Sequence, residues 1–554
     1  MPVGSEERWW GWGRNEDAVE VPPHALELLR EELGVARQAP RRHVALEAVR
    51  LPKAALGAAQ RDGLEAIVGP ENVRQDRATR VAHAAGRGYA DLVALRSGRP
   101  EGAPDAVVWP ADHGEVRRVL ELCADEGIAV VPFGGGTSVV GGVEPLRGPF
   151  AAVVVLDLAR IADVTALDER SLTVSVGPGL RAPEADRVLA ARGLTLGHFP
   201  QSYEYVSLGG AVATRSAGQA STGFGRIDEL VVGMTLAAPG GEVVLEPRPA
   251  SAAGPQLREL LVGSEGVLGV ITAIELRVRP LAPFRYEGWF VPSFAEGLEA
   301  MRVLEQSECA PAVARLSDEE ETRVGLAMAG AGAKVRAFAA FLRARRVAGG
   351  CLVVAGWAGD DERTAPDRAA AARVLRSHGA VAVGAAPARA WAAGRFRAPY
   401  LRDALLDHGV LVETLETAGQ WSNLARLYAA VRDALHDAFA QRGTPALVWC
   451  HVSHLYATGA SLYFTFLARQ EAGAEIEQWK AAKEAASEAI TRTGGTITHH
   501  HAVGRDHVPW MADEVGETGL DLLRAAKARL DPTGIMNPGK LLPDRAGPEK
   551  DARG

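Results

Sequence analysis

Pro132-Phe133-Gly134-Gly135-Gly136-Thr137-Ser138, with Gly141-Gly142 close behind, is the stretch on which the reading of this chain turns. Ahead of it, Ala106-Val107-Val108-Trp109 reads as a short strand. Asp112 and Glu115 have capping-box spacing, and Val116, Val119, Leu120 and Cys123 continue as a helical stripe that Gly127 closes. Ile128-Ala129-Val130-Val131 is a second strand, and the triple glycine stands at its end. Consecutive glycines let the backbone turn its N–H groups inward and approach a phosphate with no Cβ in the way. A bare triple glycine also suits a plain tight turn; the β-α-β setting and the Thr-Ser hydroxyls favour an anion cradle. It is neither common phosphate loop. Gly134 and Gly136 are followed by Val139 and no helical pattern, unlike G-x-G-x-x-G, and the nearest P-loop match, Gly534 to Lys540, has Leu541 after the lysine.

At 554 residues the chain predicts more than one domain, and its 47% hydrophobic content is enough for sizeable cores. A formal net charge of −8 with no long basic run argues against nucleic acid as a partner. The cysteines at 123, 309, 351 and 450 lie far apart with no C-x-x-C, which suits reduced thiols better than disulfides or zinc. No signal-like stretch and no run near ~20 apolar residues is present. The expectation is a soluble, cytoplasmic protein, with peripheral contact to a membrane surface left open.

Residues 1–100 read as a helical lead-in. Trp9-Trp10-Gly11-Trp12-Gly13 reads as a plug against the main body, His24 to Leu33 and Val44 to Ala58 as helices, and Arg80 to Ser97 as loop. Residues 101–282 form the first unit: strands over Ala151 to Leu158, Ser171 to Val176 and Gly269 to Arg279, a helix over Pro183 to Ala191, and a hairpin around Pro239-Gly240-Gly241. Two further glycine-rich, strandless stretches lie inside it, Gln201 to Gly225 and Gly263 to Gly269. Long loops inside compact domains are usually functional. Three of them converging would line a groove of backbone N–H groups suited to a large phosphate-bearing cofactor. From 283 to 500, strand–helix pairs at Tyr286 to Gln306 and Cys351 to Arg376 predict an antiparallel sheet with helices on one side, a cap over the substrate. Arg395 to Asp407 would cross between the domains, Ala446 to Tyr456 and Ser461 to Leu467 form a hairpin, and Glu471 to Thr491 a long helix.

In that hairpin Leu462, Phe464 and Phe466 share one face and Tyr463 and Thr465 the other. The apolar face is core, so Tyr463 points at whatever the sheet covers, where it could move a proton if nearby cations or a bound cofactor lowered its pKa; an edge tyrosine bonded to a carbonyl is the alternative. His499-His500-His501 follows Gly495-Thr496-Ile497-Thr498, with His507 behind; if extended, His499 and His501 share a face and His500 points away. Proton handling or holding an anionic substrate suits these residues, against a surface run of no function. Zinc would want three or four convergent ligands, and no metal is expected. Arg402, in Tyr400-Leu401-Arg402-Asp403, could clamp a carboxylate or phosphate, or simply pair with Asp403 or Asp407.

The triple-glycine loop, Thr214 to Ala217, and the G-S-E-G-x-L-G-V-I-T run at 263–272 resemble the PCMH-type FAD-binding domain of the vanillyl-alcohol oxidase superfamily. The resemblance implies an α+β fold, with a PCMH-type FAD domain at 101–282, an α+β cap at 283–500, a helical segment at 1–100, and a segment at 501–554 returning to the FAD domain. It implies FAD contacts from Pro132, Phe133, Gly134, Gly135, Gly136, Thr137 and Ser138; from Gln201, Ser202, Tyr203, Glu204, Tyr205, Val206 and Ser207; from Thr214, Arg215, Ser216 and Ala217; and from Gly263, Ser264, Glu265, Gly266, Val267, Leu268 and Gly269. Non-covalent binding is expected, because no histidine or cysteine sits in a recognisable attachment context.

The S-x-Y-F hairpin, the triple histidine followed by x-V-G, Y-x-R-D, Glu413 to Thr417 and the Trp-rich start resemble the alkyldihydroxyacetone-phosphate synthase (alkylglycerone-phosphate synthase) family of ether-lipid enzymes. That resemblance implies that Tyr463 is the general acid/base, that His499, His500 and His501 are needed for activity, and that Arg402 binds substrate phosphate. It implies no net redox: flavin N5 holds dihydroxyacetone phosphate while fatty acid leaves and fatty alcohol enters. It also implies a homodimer. The chain departs from the family pattern at Ala502 and Arg505, where glycine and lysine are usual, and at His451, where arginine is usual, with His454 also present. No obvious peroxisomal targeting segment precedes the Trp cluster. An FAD-linked D-2-hydroxy-acid dehydrogenase or oxidase is the alternative enzyme, because the flavin supplies the reactive atom in both. A non-catalytic flavoprotein is a third reading.

Overall fold

Strand Ala106–Val108, helix His113–Asp125 and strand Ile128–Phe133 form the expected β-α-β unit in the computed structural model, which describes residues 7–36, 40–330 and 332–543. Residues 1–6 and 544–554, the outer ends of the expected 1–100 and 501–554 segments, lie outside the described residues. Asp112 Oδ1 accepts from Glu115 N at 2.8 Å, and Glu115 reaches back one residue further than a capping box does, to Ala111 N at 2.7 Å. Gly127 ends the helix at φ 62°. Both strands pair in parallel with Ala152–Asp157, which lies between them, and Val73–Arg74 closes the sheet. A second, antiparallel sheet runs Val164–Asp168, Thr173–Val176, Val270–Arg277, Val231–Ala238, Gly241–Leu245. The Gln201–Gly225 stretch is strandless, as expected, but carries short helices at Leu208–Ala213 and Ser221–Phe224.

The third sheet is antiparallel throughout. Its order is Val381–Gly384, Phe284–Val291, Cys351–Ala358, Val313–Ser317, Ala446–Val452, Gly459–Arg469, Val410–Gln420, with Leu455–Tyr456 paired to Gly459–Arg469. One face packs on Phe294–Gln306, Asp361–Ser377, Trp421–Gln441 and Glu475–Thr493 in the largest core, where Leu462, Phe464 and Phe466 are wholly buried. The expectation of helices on one side alone needs correction. Leu342 of Ala333–Ala344, Ala388 of Ala386–Gly394 and Leu405 of Ala398–Asp407 pack on the other face, over strand positions such as Phe290 and Val412.

Two more corrections fall in the lead-in. Helix Pro23–Leu33 forms, but Val44 to Ala58 holds only the short turn Leu46–Ala48, and the helix lies at Ala58–Val68. Pro52 removes an N–H and disfavours helix before it, and its carbonyl accepts from Arg80 at 2.7 Å. Arg80 to Ser97 is not loop: Arg77–Ala82 and Tyr89–Arg96 are helices, capped by Asp76 and Asp91. Gly86-Arg87-Gly88 breaks the period between them. Among the described residues all four cysteines are free and buried, and no helix is long and apolar enough to cross a membrane.

Candidate active site

The cofactor loops meet around one cavity. Pro132, Phe133, Gly134, Ser138, Ser207, Thr214, Glu265, Gly266 and Gly269 line it, with Gly209, Gly210, Ile271 and Ala502. The loops touch so closely that side chains are excluded. A Cβ on Gly135 would lie 2.0 Å from Tyr205 O, and one on Gly134 2.0 Å from Ser207 Oγ. Among the described residues, the N–H groups of Gly134 to Ser138 donate to no protein acceptor. Five consecutive free donors beside a glycine-lined cavity fit the pyrophosphate of a dinucleotide cofactor.

Several other side chains of the three segments pack or bond within the protein. Val206 and Leu268 sit in one core, Val267 in another. Tyr203 Oη donates to Asp186 at 2.9 Å, Glu204 accepts from Tyr400 Oη at 3.0 Å, and Gln201 Nε2 donates to Arg395 O at 2.7 Å. Arg215 spans Asp228 and Glu259, both at 3.1 Å. Ser216 and Ala217 are buried. Glu265 both lines the cavity and ties loops together, accepting from Val503 N at 2.8 Å and Gly504 N at 2.7 Å. Burial pushes its carboxyl up to about 7 against those two bonds.

Tyr463 stands on the sheet face opposite the core, as its alternation dictates, with the His451 ring stacked 4.8 Å away and His501 and His500 at 5.5 and 5.9 Å. On balance the protein's own cations do not lower its pKa. Burial pushes it up to about 12, and Glu416 and Glu413 add to the rise while Arg402 opposes it. His451 shares Arg315 at 2.9 Å and Glu321 at 3.1 Å, and burial brings it down to about 4. Arg402 donates from Nη1 to Arg87 O at 2.6 Å, and its Nη2 lies 3.8 Å from Asp403 Oδ1 in a long ion pair; Nε and Nη2 are buried with no hydrogen-bond partner. That leaves one guanidinium edge free of hydrogen bonds, able to take an anion in competition with Asp403.

The three histidines are not extended, so the alternation expected for them fails. They lie in a bend, and His500 faces Tyr463 instead of pointing away. Glu416 makes the bend. It sits directly opposite Tyr463 in the strand pairing, and its carboxylate accepts from the N–H groups of His499, His500 (3.0 Å) and His501 (2.6 Å) and from Thr498 Oγ1 (2.8 Å). Burial alone would raise Glu416; His500, His501, His499 and these donors hold it well below the usual carboxylate range. His454, beside Ser221, joins His499 and His500, and the ligand nitrogens of the three lie within 4.8 Å of one another. Hydrogen bonds already engage most of them: His499 Nδ1 with His500 Nδ1 at 2.9 Å, His499 Nε2 with Tyr456 Oη at 2.6 Å, and His454 Nδ1 with Ser221 Oγ.

A family model described as "FAD binding domain" matches residues 104–245, and one described as "FAD linked oxidases, C-terminal domain" matches 282–541. The chain is 33% identical to the alkyldihydroxyacetonephosphate synthase of Dictyostelium discoideum over 87% of this chain and 80% of that protein. The chain belongs to the alkyldihydroxyacetonephosphate synthase family. The Trypanosoma brucei brucei member is 32% identical over 97% of this chain and 92% of its own length. A solved alkyldihydroxyacetonephosphate synthase superposes with a TM-score of 0.85 at 28% identity, covering 98% of this chain and all of that one. A 4-ethylphenol oxidase from Gulosibacter chungangensis shares the fold alone, with a TM-score of 0.68 at 15% identity. The family models make FAD the cofactor.

Within this alkyldihydroxyacetonephosphate synthase family member, sequence reasoning gave no role to Glu416, His451, His454 or the Arg315–Glu321 pair. Glu416 had a readable signal: its offset of three from Glu413 puts the two acids on opposite faces of a strand, so one must enter the site. His198, buried with both ring nitrogens unpartnered, gave none.

Proposed function

We propose that this protein is an FAD-dependent alkyldihydroxyacetone-phosphate synthase, exchanging the acyl group of acyl-dihydroxyacetone phosphate for a fatty alcohol and releasing the fatty acid. The observation that carries the reading is the convergence of Tyr463, three imidazoles and a half-free guanidinium beside the cofactor cavity. FAD would be held non-covalently by the free N–H groups of Gly134 to Ser138 and by Ser207, Thr214 and Gly266; the cavity lining contains no histidine or cysteine for attachment. When bound, FAD supplies an electron-poor ring that accepts and returns electron density within one turnover, so no external acceptor is consumed.

The protein's own residues divide the remaining work. Arg402 takes the substrate phosphate through its free Nε–Nη2 edge. Tyr463 exchanges a proton with the carbon between ketone and ester oxygen, whose hydrogens the carbonyl acidifies. Burial keeps Tyr463 protonated at rest, and the neighbouring imidazoles, kept neutral by burial, are the groups that can take its proton. His499 anchors the cluster through Tyr456. Family membership supports a homodimer, and a lipid substrate supports contact with a membrane surface; light scattering and vesicle sedimentation test these.

The deciding experiment is an anaerobic visible titration of the yellow protein. Acyl-dihydroxyacetone phosphate should bleach the flavin and release fatty acid with no electron acceptor. Reduction by a D-2-hydroxy acid, reversed by oxygen or a dye, would overturn the reading and favour the dehydrogenase.

A further inference from the structure

We propose that Glu416 is the positioning residue of this site: its carboxylate shapes the histidine bend and supplies the buried negative charge that balances a proton arriving on His500 or His501. The inference deepens the proposed function and rests on it for the identity of the proton donor, Tyr463.

The geometry makes Glu416 more than a strand residue. A glutamate on a sheet satisfies its carboxylate with one or two partners, whereas this one collects three consecutive backbone N–H groups and a hydroxyl, all from 498–501. Residues 499 to 501 have no helix or strand of their own to satisfy those donors. Glu416 therefore satisfies the backbone donors of all three, while Tyr456 and Arg226 hold His499 alone. The carboxylate is 2% exposed, and His501 Nδ1 lies 3.7 Å from its Oε1. Tyr463 is its directly paired neighbour.

The charged surroundings fix the sign of the effect. Glu413 lies on Glu416's own strand, Tyr463 on the adjoining strand, His451 on the strand beyond it, and His454 and His499 to His501 above them. Arg226, which donates to His499 O at 3.0 Å, His507 with Lys483, and Arg402 complete the shell. Removing the carboxylate's charge favours tyrosinate and disfavours imidazolium. Both titrations then move to lower pH.

The test compares Glu416→Gln, Glu416→Asp and Thr498→Val in the FAD-loaded enzyme. Glu416→Gln should lower kcat by about 10²-fold or more, keep bound FAD, and move the alkaline limb of the kcat profile to lower pH. Thr498→Val, which removes one donor and no charge, should lower kcat less and leave the limb in place. A Glu416→Gln enzyme with kcat and limb both unchanged overturns the proposal, as does lost kcat with an unmoved limb. If Glu416→Gln fails to fold, Glu416→Asp decides: the charge remains but the reach is shorter, so kcat should fall with the limb kept, and unchanged kcat overturns the proposal. Ring ¹³C titration of labelled tyrosines from about pH 8 to about pH 12, with Tyr463→Phe assigning the signal, separates this inference from the proposed function. The Tyr463 titration should shift to lower pH in Glu416→Gln even if acyl-dihydroxyacetone phosphate proves not to be the substrate; an unmoved titration overturns the proposal.

Discussion

Gly135→Ala should strip FAD from the protein while leaving the fold in place. The added Cβ would stand 2.0 Å from Tyr205 O, 2.9 Å from Tyr205 C and 3.2 Å from Ser207 N, so it meets backbone that no rotamer change can move aside. Restoring an ordinary carbon contact of about 3.5 Å requires the 132–138 loop to retreat by about 1.5 Å. Gly135 is not among the residues of positive φ, so alanine suits its backbone and the effect is steric alone. Overpacking of this kind costs about 1–3 kcal/mol, and where the cofactor needs the loop in its native position that cost falls on binding, weakening FAD roughly 5- to 150-fold. Gly127→Ala is the control: same β-α-β unit, φ 62°, and nothing within 4 Å of its Cβ. It should cost about 1 kcal/mol of stability and leave FAD affinity within about twofold. The assay is flavin fluorescence quenching on deflavinated protein, beside thermal denaturation with and without FAD. Gly135→Ala binding FAD as tightly as Gly127→Ala would refute the cradle assignment.

Tyr463→Phe should keep FAD and the fold while lowering kcat by about 10²–10⁴-fold, measured as fatty-acid release; a smaller loss removes Tyr463 from the proton path. Arg402→Ala should raise the KM for the phosphate-bearing substrate by roughly 10²- to 10⁴-fold, from two charge-assisted bonds of about 1.5–3 kcal/mol each, and Arg402→Lys should recover little because lysine cannot present two parallel donors. Glu265 offers a pH test. Its folded pKa is raised, to about 7 from 4.5, so its contribution to stability is full below the unfolded value and is lost as pH rises through the folded one. The loss approaches about 3 kcal/mol. Glu265→Gln should flatten that decline relative to wild type in denaturant titrations between about pH 4.5 and pH 7.5; identical slopes would contradict it. Asp91, Asp318 and Asp506, also raised by burial, act in the same direction in both proteins, so the difference isolates Glu265.

Local physics made the flavin unit legible. The capping acid at 112, the stripe to Cys123 and the strand ending in three glycines each specify their own conformation, and the triple glycine signals close approach whatever it approaches. Alternation likewise put Tyr463 on the open face of its strand, because Leu462, Phe464 and Phe466 had to be core. Prediction failed where a distant partner decides. Val44 to Ala58 has helical spacing, yet Pro52 and its bond from Arg80 hold it irregular. Val412, Leu447 and Leu467 are covered by Ala398–Asp407 and by Pro23–Leu33, the second remote in sequence from all three. The histidine bend could not be read from 499–501 itself, since its shape comes from a carboxylate some eighty residues away. Tyr463's rise to about 12 has the same origin: burial and two acids outweigh the single cation that sequence could suggest.

The histidine loop is pinned at its two ends by different halves of the molecule, which holds it between the cap strand and the cofactor cavity. Upstream, Thr496 N donates to Ala418 O at 3.0 Å and Thr417 Oγ1 to Thr496 O at 2.6 Å, both on the strand that carries Glu416. Downstream, Glu265 receives Val503 N and Gly504 N, Arg505 N donates to Val140 O at 2.8 Å, and Asn537 Nδ2 bridges Gly142 O and Glu265 O at 3.1 and 2.7 Å. Gly504 has φ 54°, and a Cβ there would lie 2.1 Å from Val140 O, so the loop is pressed directly onto the segment behind the triple glycine. One buried carboxylate, Glu265, ties the loop to the cofactor segments, and another, Glu416, ties it to the cap strand. Ala502 and Arg505 sit inside this clamp, Ala502 lining the cofactor cavity and Arg505 held by Glu101 and Glu144 at 2.5 and 2.8 Å. The histidines are thus carried against the cavity wall, across from the unpaired N–H groups of Gly134 to Ser138.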